Sequence, residues 1–103
     1  MLIIIDNIRH LYYNDIKGGA KMPGIDKILL DVKSGTKDKN IKFSDLQKLL
    51  DSLGFKCRIK GDHFIYYKVG VAEIINIQPD GNKAKAYQVK QIRGLIIQYK
   101  MEV

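Results

Sequence analysis

Apolar residues recur at two different periods along this chain, and the change of period divides it into elements. Between residues 87 and 101, Val89, Ile92, Leu95, Ile96 and Tyr99 keep helical spacing, with Lys90 and Arg93 together on the flank of the stripe. Leu46, Leu49, Leu50 and Leu53 keep the same spacing. Ahead of them, Ser44-Asp45-Leu46-Gln47 has the form of a capping box, the serine capping and the glutamine reaching back, and Gly54 supplies a stop. Ile25, Ile28, Leu29 and Val32 predict one more helix upstream, with Pro23 near its start and Gly35 at its end. Residues 36–40 read as a polar linker.

Between the second and third helices the period shortens to two. Residues 55–59 (FKCRI) alternate apolar and basic, as a half-buried strand does. Residues 62–67 (DHFIYY) and 73–78 (EIINIQ) predict two more strands, with Lys60-Gly61 and Val69-Gly70 at the turns. Pro79-Asp80-Gly81-Asn82 is a strong turn signal before Lys83-Ala84-Lys85-Ala86. The order helix, three-stranded antiparallel meander, helix predicts an α+β sandwich with both helices on one face of the sheet, preceded by the extra N-terminal helix.

A chain of 103 residues has room for one such domain and can bury enough apolar surface to fold without disulfides. Its single cysteine, Cys57, excludes an internal disulfide and is too few for a zinc site. Alternating with Phe55 and Ile59, it reads as a small buried hydrophobe in a reducing, cytoplasmic protein. The apolar run 2–5 is far shorter than the roughly 20 residues a spanning helix needs, and there is no basic start or cleavage site of a signal peptide. Residues 1–21 show no cap and no clear period. Lys17-Gly18-Gly19 can be encoded by purine triplets spelling a ribosome-binding sequence shortly before Met22. The expectation is therefore a non-native or disordered N-terminal extension over 1–21, with a genuine N-terminal arm as the rival view, and a domain over 22–103.

Charge changes the picture further. The net charge is +7, and residues 55–103 hold nine basic against four acidic side chains. Such a field attracts polyanions, of which nucleic acid is the commonest, or it is a solvated surface that keeps a small protein soluble.

Residues 42–101 resemble the HicA family of toxin–antitoxin ribonucleases. KFSDLQKLLDSLGF is similar to that family's first helix and its exit into strand one, KGDHFIYY to its Gly-Ser-His segment on strand two, and NIQPDGNKAKAYQVKQIRGLI to its final turn and helix. The resemblance implies a fold like a double-stranded-RNA-binding domain, metal-independent cleavage of mRNA with no cofactor, and a HicB-like antitoxin protein as partner. It places the catalytic histidine at His63, two positions after Gly61. The chain departs from the family in carrying Asp62 where serine is usual, and Pro79-Asp80 where many relatives have a proline followed by histidine.

The chemistry suits the residue. Imidazole titrates near neutrality, and RNA brings its own nucleophile, the 2′-hydroxyl, which a base within hydrogen-bond reach activates. Lys60, Lys83 and Lys85 are candidates to stabilise the charge that builds on the phosphate, and Lys90 and Arg93 read as phosphate contacts or as a solvated helix face. Adjacent Tyr66 and Tyr67 point to opposite faces of their strand, one into the core and one able to stack on a base. By the same alternation Asp62 is not expected to orient the His63 ring. No phosphate loop, His-Cys cluster or Ser-His-Asp set competes. A non-cutting RNA-binding module of the same fold, and a basic domain docking an acidic protein, are the other readings.

Overall fold

The computed structural model describes residues 24–103. The readings made on 1–23, including the extension, the start at Met22 and Pro23, lie outside them. The described chain is α+β. Three helices, α1 (Ile25–Ser34), α2 (Phe43–Ser52) and α3 (Ala86–Gln98), accompany a three-stranded antiparallel sheet of β1 (Lys56–Lys60), β2 (His63–Lys68) and β3 (Val71–Ile77) in meander order. Gly24 and Gly35 flank α1 with positive φ, a conformation that glycine adopts without steric cost.

One core holds all of this together. Val32 from α1, Leu46, Leu49 and Leu50 from α2, and Val89, Ile92 and Ile96 from α3 are buried with Tyr66, Ile75 and Ile77 of the sheet. The core side of the sheet is thus the side of Phe64, Tyr66, Ile75 and Ile77, and alternate residues point the other way. At the edge, Lys68 Nζ bonds the Leu53 carbonyl and lies over the Phe55 ring, tying the end of β2 to the exit of α2.

Three expectations change. The capping box does not form: Lys42, not Ser44, precedes α2, and no side chain caps it. The reason is tertiary. Lys42 bridges Lys83, Phe43 N–H donates to the Asn82 carbonyl at 2.9 Å, and Ala84 N–H donates to the Ile41 carbonyl at 2.9 Å. That pairing holds Ile41 and Lys42 extended against a second, two-stranded ribbon, β4 (Pro79–Asp80) and β5 (Lys83–Ala84), so the helix begins directly after them, at Phe43. It also seats Phe43 edge-on to Phe64, with ring centroids 5.2 Å apart.

Cys57 is exposed rather than buried, and so is every residue of β1. β1 is an edge strand, and the helices cover β2 and β3 but leave even its core-side positions, Cys57 and Ile59, in solvent. Finally, the linker at 36–40 contains a 3-10 turn, Asp38–Asn40, anchored to α3 by Arg93.

Candidate active site

His63 opens β2, directly opposite Lys60 of β1. Only Gly61 and Asp62 separate the two, and Gly61 has φ 63, the sign that a tight hairpin turn needs where it reverses the chain. The glycine thus sets the histidine by shaping the turn. His63 points to the side of the sheet away from the helices, with Asn76 diagonal to it on β3, and its side chain is half-exposed.

Both ring nitrogens have partners. Nδ1 lies 3.0 Å from Asn76 Oδ1, and Nε2 lies 3.2 Å from Gln78 Nε2. An amide nitrogen donates and does not accept, so Nε2 must present its lone pair and the proton sits on Nδ1, donated to Asn76. The orientation of the Gln78 amide is fixed in turn: its Oε1 accepts from Lys85 Nζ at 3.4 Å, while its Nε2 also reaches Asp62 Oδ1 at 3.4 Å. These contacts fit the tautomer with its proton on Nδ1 and its Nε2 lone pair turned to Gln78.

Behind this pair stands a residue with no direct contact to the ring. Gln88 of α3 is buried at 2 % exposure. Its Oε1 accepts from the Gln78 backbone N–H at 3.3 Å and its Nε2 donates to the Asn76 carbonyl at 3.3 Å. One buried amide thus clamps the backbone on either side of Ile77 and sets where Asn76 and Gln78 project. Asn76, Gln78 and Gln88 are missing from the candidates read in sequence. Gln88 left a signal there, a polar residue on the apolar stripe of its helix beside Val89 and one turn before Ile92.

Asp62 belongs to the turn and not to the strand, and its Oδ1 lies 3.8 Å from His63 Nε2, too far for a hydrogen bond that would orient the ring.

The nominated cations divide. Lys60 faces the same side as His63, and Lys85 joins its network through Gln78. Lys83 turns to Asn40 Oδ1 at 3.1 Å, and Lys90 is exposed on α3; neither bonds to the network. Arg93 is engaged elsewhere. Its guanidinium grips both oxygens of Asp38, at 2.8 and 3.0 Å, and donates to the Val32 carbonyl at 3.1 Å, with only 17 % of its side chain exposed. It joins α1, the 3-10 turn and α3 and is not free for phosphate. Of the tyrosines, Tyr66 is the core residue and Tyr67 the exposed one.

No family model, curated protein or solved structure matches the chain. Among the described residues no group of three or more His, Cys, Asp and Glu side chains could hold a metal ion, and no helix is long and apolar enough to cross a membrane.

Proposed function

We propose that this chain is an endoribonuclease toxin of the HicA type, with a fold like a double-stranded-RNA-binding domain, that cuts mRNA without a metal and uses His63 as its general acid–base. The observation that carries this reading is the His63 ring, held by Asn76 with its proton on Nδ1 and its Nε2 lone pair turned to a basic, open side of the sheet. The 2′-hydroxyl takes the place of the Gln78 amide at Nε2 and gives up its proton there. The 2′-oxygen bonds to the adjacent phosphorus, the bond to the 5′-oxygen breaks, and that oxygen leaves with a proton from solvent water, to which the ring returns the one it took. The products are a 2′,3′-cyclic phosphate and a 5′-hydroxyl. Lys60 and Lys85 stand where they offset the added negative charge of the transition state. A HicB-like antitoxin in the same cytoplasm is the partner that this reading supplies.

Incubation of unstructured RNA with the wild type and with His63→Ala tests it. Replacement should cost at least about 10²-fold in cleavage, the lower end of what a positioned acid–base group contributes, with an unchanged circular dichroism spectrum. DNA of the same sequence should stay intact. A His63→Ala protein that cuts at the wild-type rate overturns the assignment. Asp62, a carboxylate 3.8 Å from the ring, favours a second reading, a module that binds RNA without cutting it. A folded wild type that binds RNA and never cuts it selects that one.

A further inference from the structure

The side of the sheet that carries His63 is a surface with more on it than the histidine. The register sets Lys56 opposite Tyr67, Arg58 opposite Ile65 and Lys60 opposite His63. Since alternate residues share a face, Lys56, Arg58 and Lys60 form a row of cations along β1 on the side of His63, Ile65 and Tyr67. Asn76 and Ile74 continue that side on β3, and Ile74 and Tyr67 are exposed at 62 % and 42 %. None of the outward positions on the three strands carries a carboxylate; the one acid in the strands, Glu73, accepts from the Tyr99 hydroxyl of the segment following α3.

We infer that this open face is a track for an unpaired stretch of RNA, with Lys56, Arg58 and Lys60 along its phosphates and Tyr67 stacked on a base. The inference rests on the reading of His63 as RNA-directed and names the surface that delivers the strand to it. Alternate residues on a strand stand about 6.6 Å apart, a spacing that matches successive phosphates of an extended chain. A backbone lying over β1 puts its bases over β2 and β3, where the side chains are aromatic, apolar or amide. An exposed ring and an apolar neighbour stack on a base only if its face is free, which pairing in a helix prevents. Tyr67 lies four strand residues from His63, about 13 Å, so the base it holds is a couple of nucleotides from the phosphate at the histidine. The row of cations on an exposed edge strand also fits no internal need, since no ion pair of the described residues uses Lys56, Arg58 or Lys60.

The test measures binding apart from cutting. A short mixed-sequence RNA, 2′-O-methylated throughout so that it cannot be cleaved, is titrated with the full chain as a single strand and as a duplex. The variants are Lys56→Glu/Arg58→Glu, Tyr67→Ala, and the charge-matched Lys83→Glu/Lys90→Glu. The single strand should bind more tightly than the duplex. The β1 pair should lose at least tenfold in affinity and about 1.4 from the log–log salt slope, since each phosphate contact on a single strand accounts for about 0.7. Tyr67→Ala should lose about fivefold or more, and the charge-matched pair much less than the β1 pair. Equal losses in the two charge pairs, or equal affinity for duplex, overturn the inference. A parallel incubation with unmodified RNA reads the enzyme proposal separately. Cutting with normal binding by the β1 variant leaves the enzyme and removes the track; specific binding with no cutting leaves the track and removes the enzyme.

Discussion

Asn76 Oδ1 stands 3.0 Å from His63 Nδ1 across the β2–β3 ladder, and this contact decides which nitrogen of the ring is basic. With the proton drawn to Nδ1, Nε2 is the lone pair that meets Gln78, and by the proposed chemistry the one that meets a 2′-hydroxyl.

Asn76 is therefore a positioning residue. Asn76→Ala should lower kcat by up to about a hundredfold, the cost of a misplaced reacting group, while RNA affinity stays near the wild-type value. Asn76→Asp restores an acceptor at the same place and should recover much of the loss. Comparison of kcat and KM for the three proteins checks this; an alanine variant with wild-type kcat removes Asn76 from the mechanism.

Arg93 gives the opposite expectation. A guanidinium that holds two carboxylate oxygens and a backbone carbonyl, with Arg93 and Asp38 side chains 17 % and 19 % exposed, is a structural tie. Arg93→Ala should destabilise the fold by about 1.5–3 kcal/mol, the range for hydrogen bonds to charged groups. Arg93→Lys should not restore it, because an ammonium cannot span both oxygens in plane. RNA affinity measured below the melting transition should be unchanged. A stable Arg93→Ala protein with weakened RNA binding would falsify this and return the residue to the phosphate contacts.

How much of this was legible in the sequence follows from the range of the forces involved. The helices and the meander rest on local periodicity, and the leucines at 46, 49 and 50 fall where their spacing puts them, on the buried side of α2, with Leu53 buried directly after it. His63 is nominated by its neighbours in sequence. What could not be read depends on contacts between distant segments. The start of α2 is set by pairing with residues 82–84, so the local capping signal at Ser44 loses. Cys57 has the right alternation for burial, but no helix reaches over β1. Asp38 and Arg93 lie 55 positions apart, and nothing local announces that they meet. The amides at 76, 78 and 88 converge only once β3 and α3 are packed.

Tyr66 supplies a pH dependence. Burial pushes its phenol up, with Cys57 adding and the bond to Gln47 opposing. The fold favours the neutral phenol, so its contribution to stability is fully present below the ordinary tyrosine value of about 10 and is lost as pH rises through the higher folded value. Denaturant titrations in the alkaline range should therefore show the wild type losing stability more steeply than Tyr66→Phe. Parallel curves would mean that the hydroxyl reaches solvent when it ionises.

Asp62 is where repulsion and assistance compete, and the geometry sets their sizes. Its carboxylate is well exposed, 3.8 Å from His63 Nε2 and 3.4 Å from Gln78 Nε2. In the proposed reaction, before any proton moves, the carboxylate acts mainly on the incoming phosphate. At about 6 Å in water that repulsion amounts to roughly threefold in binding. By the proposed chemistry, a ring that has taken the 2′-hydroxyl proton is positive, and the carboxylate stabilises it by at most about fivefold, since unit charges about 4 Å apart in water interact by roughly 1 kcal/mol. Asp62→Asn keeps an oxygen for Gln78 and removes only the charge. It should lower KM by about threefold and lower kcat by up to fivefold, leaving kcat/KM nearly where it was. Salt should shrink both changes, because both are exposed-charge effects. A lower KM with unchanged kcat would mean that the carboxylate only repels substrate. No change in either constant would place Asp62 outside the reacting site, despite its distance from the ring.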